Sequence, residues 1–270
     1  MIRLGAHMLL NEGLGKVPDA AHKLGCDTIQ IFSKNPRGWD SKELDNVDIT
    51  EFKAGLKKFD IHPLVVHSNY LLNLSSLNIE VYEKSLFSLT DELKRAKTLG
   101  AEFLVTHIRG FEKDKITEGI NIAFGKTENP PKLLLEPVPK LGPDTFKFLG
   151  EVMKSSSFSK NLGLCFDTCH IYTAGYDFTE KEGMDRMIKE IEKFIGFEKL
   201  RLMHLNDSKT KCGSMIDRHE HIGKGHIGLK GFSALLNNKL FAKIPMIIET
   251  PKKEPGDDKM NLKALKSLIK

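Results

Sequence analysis

Cysteine is scarce in this chain and forms no framework. The four cysteines, Cys26, Cys165, Cys169 and Cys212, include no Cys-x-x-Cys pair, which excludes a zinc knuckle and a thioredoxin-type motif. Cys165 lies inside an apolar run and Cys169 just beyond it, and both read as packed thiols of a reducing compartment. Long apolar runs are missing too. No stretch approaches the roughly 18 residues a membrane helix needs, and Ile2-Arg-Leu-Gly-Ala-His7 carries no apolar signal core. The expectation is a cytoplasmic protein with no membrane partner. Internal repeats, low-complexity tracts and interdomain linkers are also lacking. Charge of one sign is weak, because 41 Lys and Arg against 36 Asp and Glu leave a formal +5 among 270 residues. That balance admits a polyanionic partner without requiring one.

What is present is a series of short apolar runs: Ile2–Ala6, Thr28–Phe32, Pro63–Val66, Phe103–Thr106, Leu133–Leu135, Leu162–Phe166, Leu200–Met203 and Pro245–Ile248. Several are continuously apolar, as parallel strands covered by helices on both faces must be. The spacing between them predicts helices. Pro18–Leu24 has Pro near its start and Gly25 at its end. Tyr82–Leu99 aligns Leu86, Leu89, Leu93 and Ala96 on one face, with Gly100 beyond. Lys181–Phe194 repeats the pattern and stops before Gly196. Eight alternations of strand and helix predict an α/β fold, a (β/α)8 TIM barrel, as a single domain over residues 1–270. The irregular regions Ser33–Thr50, Lys126–Lys132, Asn206–Gly228 and Thr250–Lys259 adjoin strands, and loops at strand ends carry the sites of such barrels.

The residues that end these runs share one chemistry. His7 follows the first, His67 the third, His107 the fourth, Glu136 the fifth, Asp167 the sixth, His204 the seventh and Glu249 the eighth, whereas the second ends at Phe32. Parallel barrel strands bring these ends to one rim. Carboxylates buried together there would repel one another, and divalent cations resolve the conflict; mixed His, Asp and Glu sets suit zinc or manganese. His170 lies just past Asp167, and Asp217-Arg-His219 puts two further donors on one side of an extended segment. Leaving His7 aside as ambiguous, the donors are His67, His107, Glu136, Asp167, His170, His204, Asp217, His219 and Glu249, enough for two or three ions. The other histidines read as packing or surface groups (His22, His62) or as solvent or phosphate contacts (His221, His226). No catalytic triad is evident.

Three stretches then carry a family resemblance: His67-Ser-Asn-Tyr-Leu-Leu-Asn73, Gly163-Leu-Cys-Phe-Asp-Thr-Cys-His170, and His204-Leu-Asn-Asp-Ser-Lys209 continuing to Asp217-Arg-His219 and Ile222-Gly-Lys-Gly225. With Gly5-Ala-His7, Lys34-Asn-Pro-Arg37 and Glu249-Thr-Pro251, they make the chain resemble the endonuclease IV family of apurinic/apyrimidinic endonucleases over nearly its whole length. The resemblance implies three zinc ions per chain, with manganese possible at one site. His67, His107 and Glu136 would hold the first ion. Glu136 would bridge to a second completed by Asp167, His204 and Glu249, and His170, Asp217 and His219 would hold the third. It further implies hydrolysis of the phosphodiester 5′ to abasic sites in duplex DNA by a monomer, with Glu136 assisting the nucleophile and the ions activating water and stabilising the leaving oxygen. Arg37, Tyr70 and Leu71 would enter the DNA at the lesion, and Lys34, Lys209, Arg218 and Lys224 would contact phosphates.

The resemblance is interrupted after Glu136. The family places Asn-Thr-Ala-Gly-Gln-Gly there, and this chain has Pro-Val-Pro-Lys-Leu-Gly142, which removes side chains that would orient the ligand by hydrogen bonds. Gly38 stands where some relatives carry a side chain that probes DNA. Two other readings share much of this inventory. One is a metal-dependent sugar isomerase or epimerase on the same barrel, which has no use for the Asp217, His219 and His170 set. The other is an inactive, metal-stabilised DNA-binding homologue.

Overall fold

Each continuous apolar run becomes a strand covered on both faces. The structure is a computed structural model that describes residues 2–270. Its strands are β1 (Leu4–His7), β2 (Thr28–Phe32), β3 (Leu64–His67), β4 (Phe103–Ile108), β5 (Lys132–Pro137), β6 (Leu162–Asp167), β7 (Leu200–His204), the short pair β8 (Asp207–Ser208) and β9 (His219–Glu220), and β10 (Met246–Ile248). β8 and β9 form a separate antiparallel hairpin, and the other strands close into a parallel barrel in the order β1-β10-β7-β6-β5-β4-β3-β2. The expected (β/α)8 architecture is what the chain adopts.

Helices α1 (Val17–Leu24), α2 (Asn46–Lys58), α3 (Ile79–Leu99), α4 (Lys113–Gly125), α5 (Thr145–Ser155), α6 (Thr168–Thr173), α7 (Lys181–Phe194), α8 (Gly228–Leu236) and α9 (Asp257–Leu268) cover it. The predicted helix from Tyr82 starts earlier, at Ile79, because the Asn78 side chain accepts the Val81 N–H and caps the first turn. The region 250–259, expected to be irregular, already contains the start of α9, and 33–50 the start of α2. The segment 126–132 joins α4 to β5, so it lies at the N-terminal ends of the strands, away from the rim.

Side chains alternate along each strand, and the barrel interior shows the result as layers. Val65, Val105, Leu134, Cys165, Leu202 and Ile247 form an apolar plug separate from the core between strands and helices. Each stands two residues before a candidate ligand: His67, His107, Glu136, Asp167, His204 and Glu249. The donor layer is therefore the next inward layer above the plug. Gly5 and Thr28 occupy the plug level on β1 and β2, paired in register. A Cβ on Gly5 would lie 1.7 Å from the Thr28 carbonyl oxygen, a backbone atom that the closed barrel cannot move cheaply. Gly5→Ala is expected to cost about 3 kcal/mol, measured as a lowered denaturation midpoint. An unchanged midpoint would show that β1 and β2 can separate at this register.

Candidate metal centre

Glu136 is the hub of the rim. Its side chain is fully buried, and its oxygens lie 3.2 Å from His67 Nε2, 3.3 Å from His107 Nε2, 3.3 Å from His170 Nδ1 and 3.1 Å from His204 Nδ1. Glu249, on the residue after β10, brings Oε2 to 3.2 Å from His204 Nδ1. Beyond Glu136, His170 Nε2 is 3.2 Å from Asp217 Oδ2, and Asp217 Oδ1 is 3.1 Å from His219 Nε2. His219 Nε2 is in turn 3.8 Å from Asp167 Oδ2. Every residue expected from strand ends and spacing to be a donor thus reaches one continuous cluster.

Among the described residues, five groups of possible donors have ligand atoms all within 4.8 Å of one another. Two include a buried thiol (Glu136, Cys165 and His204; Asp167, Cys169 and His219), and the three without cysteine are His67, His107 and Glu136; Glu136, Asp167, His204 and Glu249; and His170, Asp217 and His219. Donors at about 2.0–2.1 Å from a tetrahedral zinc ion lie roughly 3.3 Å apart, which is the spacing of the contacts around Glu136. Neighbouring groups fix which nitrogens face inward. His67 Nδ1 lies 2.7 Å from the Ser68 carbonyl and His219 Nδ1 3.1 Å from the Glu249 carbonyl. Donation there leaves both Nε2 lone pairs toward the cluster. His204 is turned the other way, with Nε2 2.9 Å from Gln30 Oε1 and Nδ1 facing the carboxylates. His170 Nδ1 and Nε2 and His219 Nε2 are buried without a hydrogen-bond partner among the described residues. Orphaned imidazole nitrogens against carboxylates fit divalent cations, so the donor set suits metal binding.

The electrostatics agree. Burial opposes ionisation of Glu136, yet His204, His107 and His170 hold its pKa well below the ordinary value. Burial likewise works against Glu249, and His204 and His7 overcome it. Burial disfavours a charged His170, but Asp167, Asp217 and Glu136 raise its pKa well above the usual one. His219 is pushed up to about 9 by Asp167 and Asp217 against the same penalty. Carboxylates here demand cations, and metal ions would compete with protons for these nitrogens.

Three polar side chains brace the cluster. Asn206 donates from Nδ2 to Asp167 Oδ2 at 2.7 Å and accepts the Glu249 N–H on Oδ1 at 2.8 Å, tying β6 to the end of β10. Gln30 donates to Glu249 Oε1 while it receives His204, and His7 Nδ1 sits 3.3 Å from the same carboxylate. His7 is therefore a buried partner of Glu249. Reading β2 by its last residue misses Gln30. The inward position at the donor level is two residues past Thr28, and a glutamine inside Thr-Ile-Gln-Ile-Phe is the available signal.

The expected DNA contacts divide. Arg37 is exposed, Leu71 is 36% exposed and Tyr70 42% exposed. The Tyr70 ring stands edge-on to Phe32 and nearly parallel to His107. Tyr70 N–H donates to the Pro36 carbonyl and Asn69 Nδ2 to the Gly38 carbonyl, joining the two rim loops. Arg218 and Lys224 are exposed, and Lys209 lies 3.7 Å from Glu220 Oε2. Lys34 does not fit its expected role. Its side chain is 2% exposed, with Nζ 3.0 Å from Ser88 Oγ, 3.3 Å from Asp91 Oδ2 and 3.7 Å from Glu92 Oε1. Its ammonium is engaged inside the protein because α3 brings a buried Glu92 against it. Asp207, within the third motif, is no metal donor either. Its oxygens accept N–H bonds from Ser208, Gly223, Gly225, Ile227 and Gly228, which shapes the loop that presents Lys224. Cys26, Cys165 and Cys169 are buried free thiols, and burial pushes Cys165 and Cys169 up to about 12. No helix among the described residues is long and apolar enough to cross a membrane.

Fold and donor set together define a (β/α)8 barrel with a rim suited to binding metal ions, and residues 18–269 match the family described as Xylose isomerase-like TIM barrel. A probable endonuclease 4 of Halothermothrix orenii is 40% identical over 271 residues, covering 97% of this chain and 98% of its own length. The crystal structure of endonuclease IV from Thermus thermophilus superposes with a TM-score of 0.87 at 30% identity, covering 98% of both chains. A D-tagatose 3-epimerase-like protein, at 20% identity and a TM-score of 0.72 over 99% of this chain and 97% of its own, shares the fold. The chain belongs to the endonuclease IV family.

Proposed function

We propose that this protein is a DNA-repair nuclease that hydrolyses the phosphodiester 5′ to abasic sites in duplex DNA, leaving 3′-hydroxyl and 5′-deoxyribose phosphate ends. The observation that carries the reading is the convergence of three donor groups, two of which share Glu136 and the third of which is the His170, Asp217 and His219 set. That third set is what a sugar isomerase or epimerase on this barrel has no use for. His67, His107 and Glu136 would hold one zinc ion, Glu136, Asp167, His204 and Glu249 a second, and His170, Asp217 and His219 a third, with manganese able to replace one. Bound there, zinc supplies charge neutralisation for the phosphodiester and makes water more acidic.

The chain's own groups supply the rest. Glu136 lies at the centre with both oxygens directed at the cluster, positioned to take a proton from the attacking water. Tyr70 and Leu71, exposed on the loop after β3, and Arg37 on the loop after β2 would fill the stack where a base is missing. Arg218, Lys224 and Lys209 would neutralise backbone phosphates, so affinity should fall steeply with salt. The protein would act as a monomer on this substrate.

Incubating the metal-replete protein with duplex DNA containing a tetrahydrofuran abasic analogue is expected to give a single nick on its 5′ side, abolished by prolonged chelation. No nick from protein carrying three zinc equivalents would leave the inactive DNA-binding reading. One bound equivalent without nicking would favour the epimerase-like one.

A further inference from the structure

The cavity at the rim, about 660 Å³, has two basic side chains other than histidine among its described lining residues, Arg109 and Lys140. Neither belongs to the motifs that carry the family resemblance. Arg109 follows β4 and Lys140 follows β5, adjacent strands of the barrel, so both stand on one wall, with Glu249 entering from β10 across the ring. Lys140 is exposed, within the segment that departs from the family pattern. Among the described residues Arg109 Nη2 donates to the Tyr70 carbonyl at 3.2 Å and lies 3.2 Å from His107 Nδ1, with the carboxylates of Glu136 and Asp217 acting on its charge but not hydrogen-bonded to it.

We propose that Arg109 and Lys140 form an anion subsite of this cavity that takes a phosphate of the lesion-bearing strand, an inference that rests on the nuclease reading above. The Arg109 fork can offer two parallel N–H groups to phosphate oxygens, and Lys140 adds a point charge to the same cavity. The Tyr70 carbonyl accepts from Arg109 Nη2, so the loop that would meet the lesion also holds the guanidinium.

His107 lies between the clamp and the donor cluster: its Nδ1 is 3.2 Å from Arg109 Nη2 and its Nε2 3.3 Å from Glu136 Oε2, so the anion subsite borders the first donor group.

The test is a thermodynamic cycle between protein and DNA. Zinc-loaded protein is titrated with an abasic-analogue duplex whose scissile leaving oxygen is replaced by a methylene, so no turnover occurs. Phosphates flanking the lesion are replaced one at a time by neutral methylphosphonate. Arg109→Gln and one such replacement are each expected to raise Kd about tenfold, and together no more than either alone. Arg109→Gln should also lower the salt slope of binding by about 1. Arg109→Lys, which keeps the charge, should retain part of the coupling, and it serves as the comparison if Arg109→Gln loses zinc or secondary structure. Additive effects at every phosphate, with wild-type protein still nicking a cleavable duplex, would overturn the subsite alone. Absence of wild-type nicking would sink the nuclease reading and the subsite with it.

Discussion

Glu136→Gln is expected to lower the rate of nicking by about 10³-fold or more while binding of an abasic duplex stays within about tenfold of wild type. The substitution preserves shape and removes the charge that four imidazoles face at 3.1–3.3 Å. It also removes the only carboxylate common to two of the three donor groups that the proposal loads with zinc. Single-turnover incision, zinc content and equilibrium binding need to be measured on the same preparation. A rate loss with zinc retained assigns Glu136 a role in proton transfer, whereas a loss in proportion to zinc assigns it to holding the ions. Turnover close to wild type with full zinc would remove Glu136 from the mechanism.

The second large effect is on stability. Lys34→Met should cost about 3–5 kcal/mol, because it leaves Glu92 charged, buried and without its cation. Glu92 Oε1 accepts the Asn69 N–H at 3.1 Å and Ser88 Oγ at 3.0 Å, and burial already pushes its pKa up against the pull of Lys34. The double variant Lys34→Met with Glu92→Gln keeps an acceptor for Asn69 and removes the stranded charge, so most of the loss should return. Denaturant midpoints compare the three proteins. The salt slope of DNA binding should not change in Lys34→Met. A reduced slope with unaltered stability would restore Lys34 as a phosphate contact.

Lys34 and Lys224 show where sequence reading stops. Both stand in motif loops beside glycine, asparagine or proline, and both read as phosphate contacts. Only the packing of α3, more than fifty residues away in the chain, separates them. It sets Asp91 and Glu92 against one lysine and leaves the other in solvent. The candidate metal donors are legible for the opposite reason. A parallel barrel needs no register to bring the C-terminal ends of its strands together, so the chemistry of the end residues is enough. Gln30 escapes because its place depends on which face each β2 residue takes, and Arg109 because nothing in its local sequence points to a cavity wall.

The sequence by itself determined the order of strands and helices, the single barrel, and the kinds of side chain that meet at its rim, since these follow from hydrophobic period and strand direction. Only the tertiary structure decided which nitrogen of each imidazole turns inward and what surrounds each carboxylate. Asp207 is filled by backbone N–H groups and Glu136 is surrounded by histidines. Those choices rest on hydrogen bonds between residues far apart in the chain, such as Gln30 with His204 and Asn206 with Glu249. Burial makes such bonds obligatory, and no local pattern encodes them.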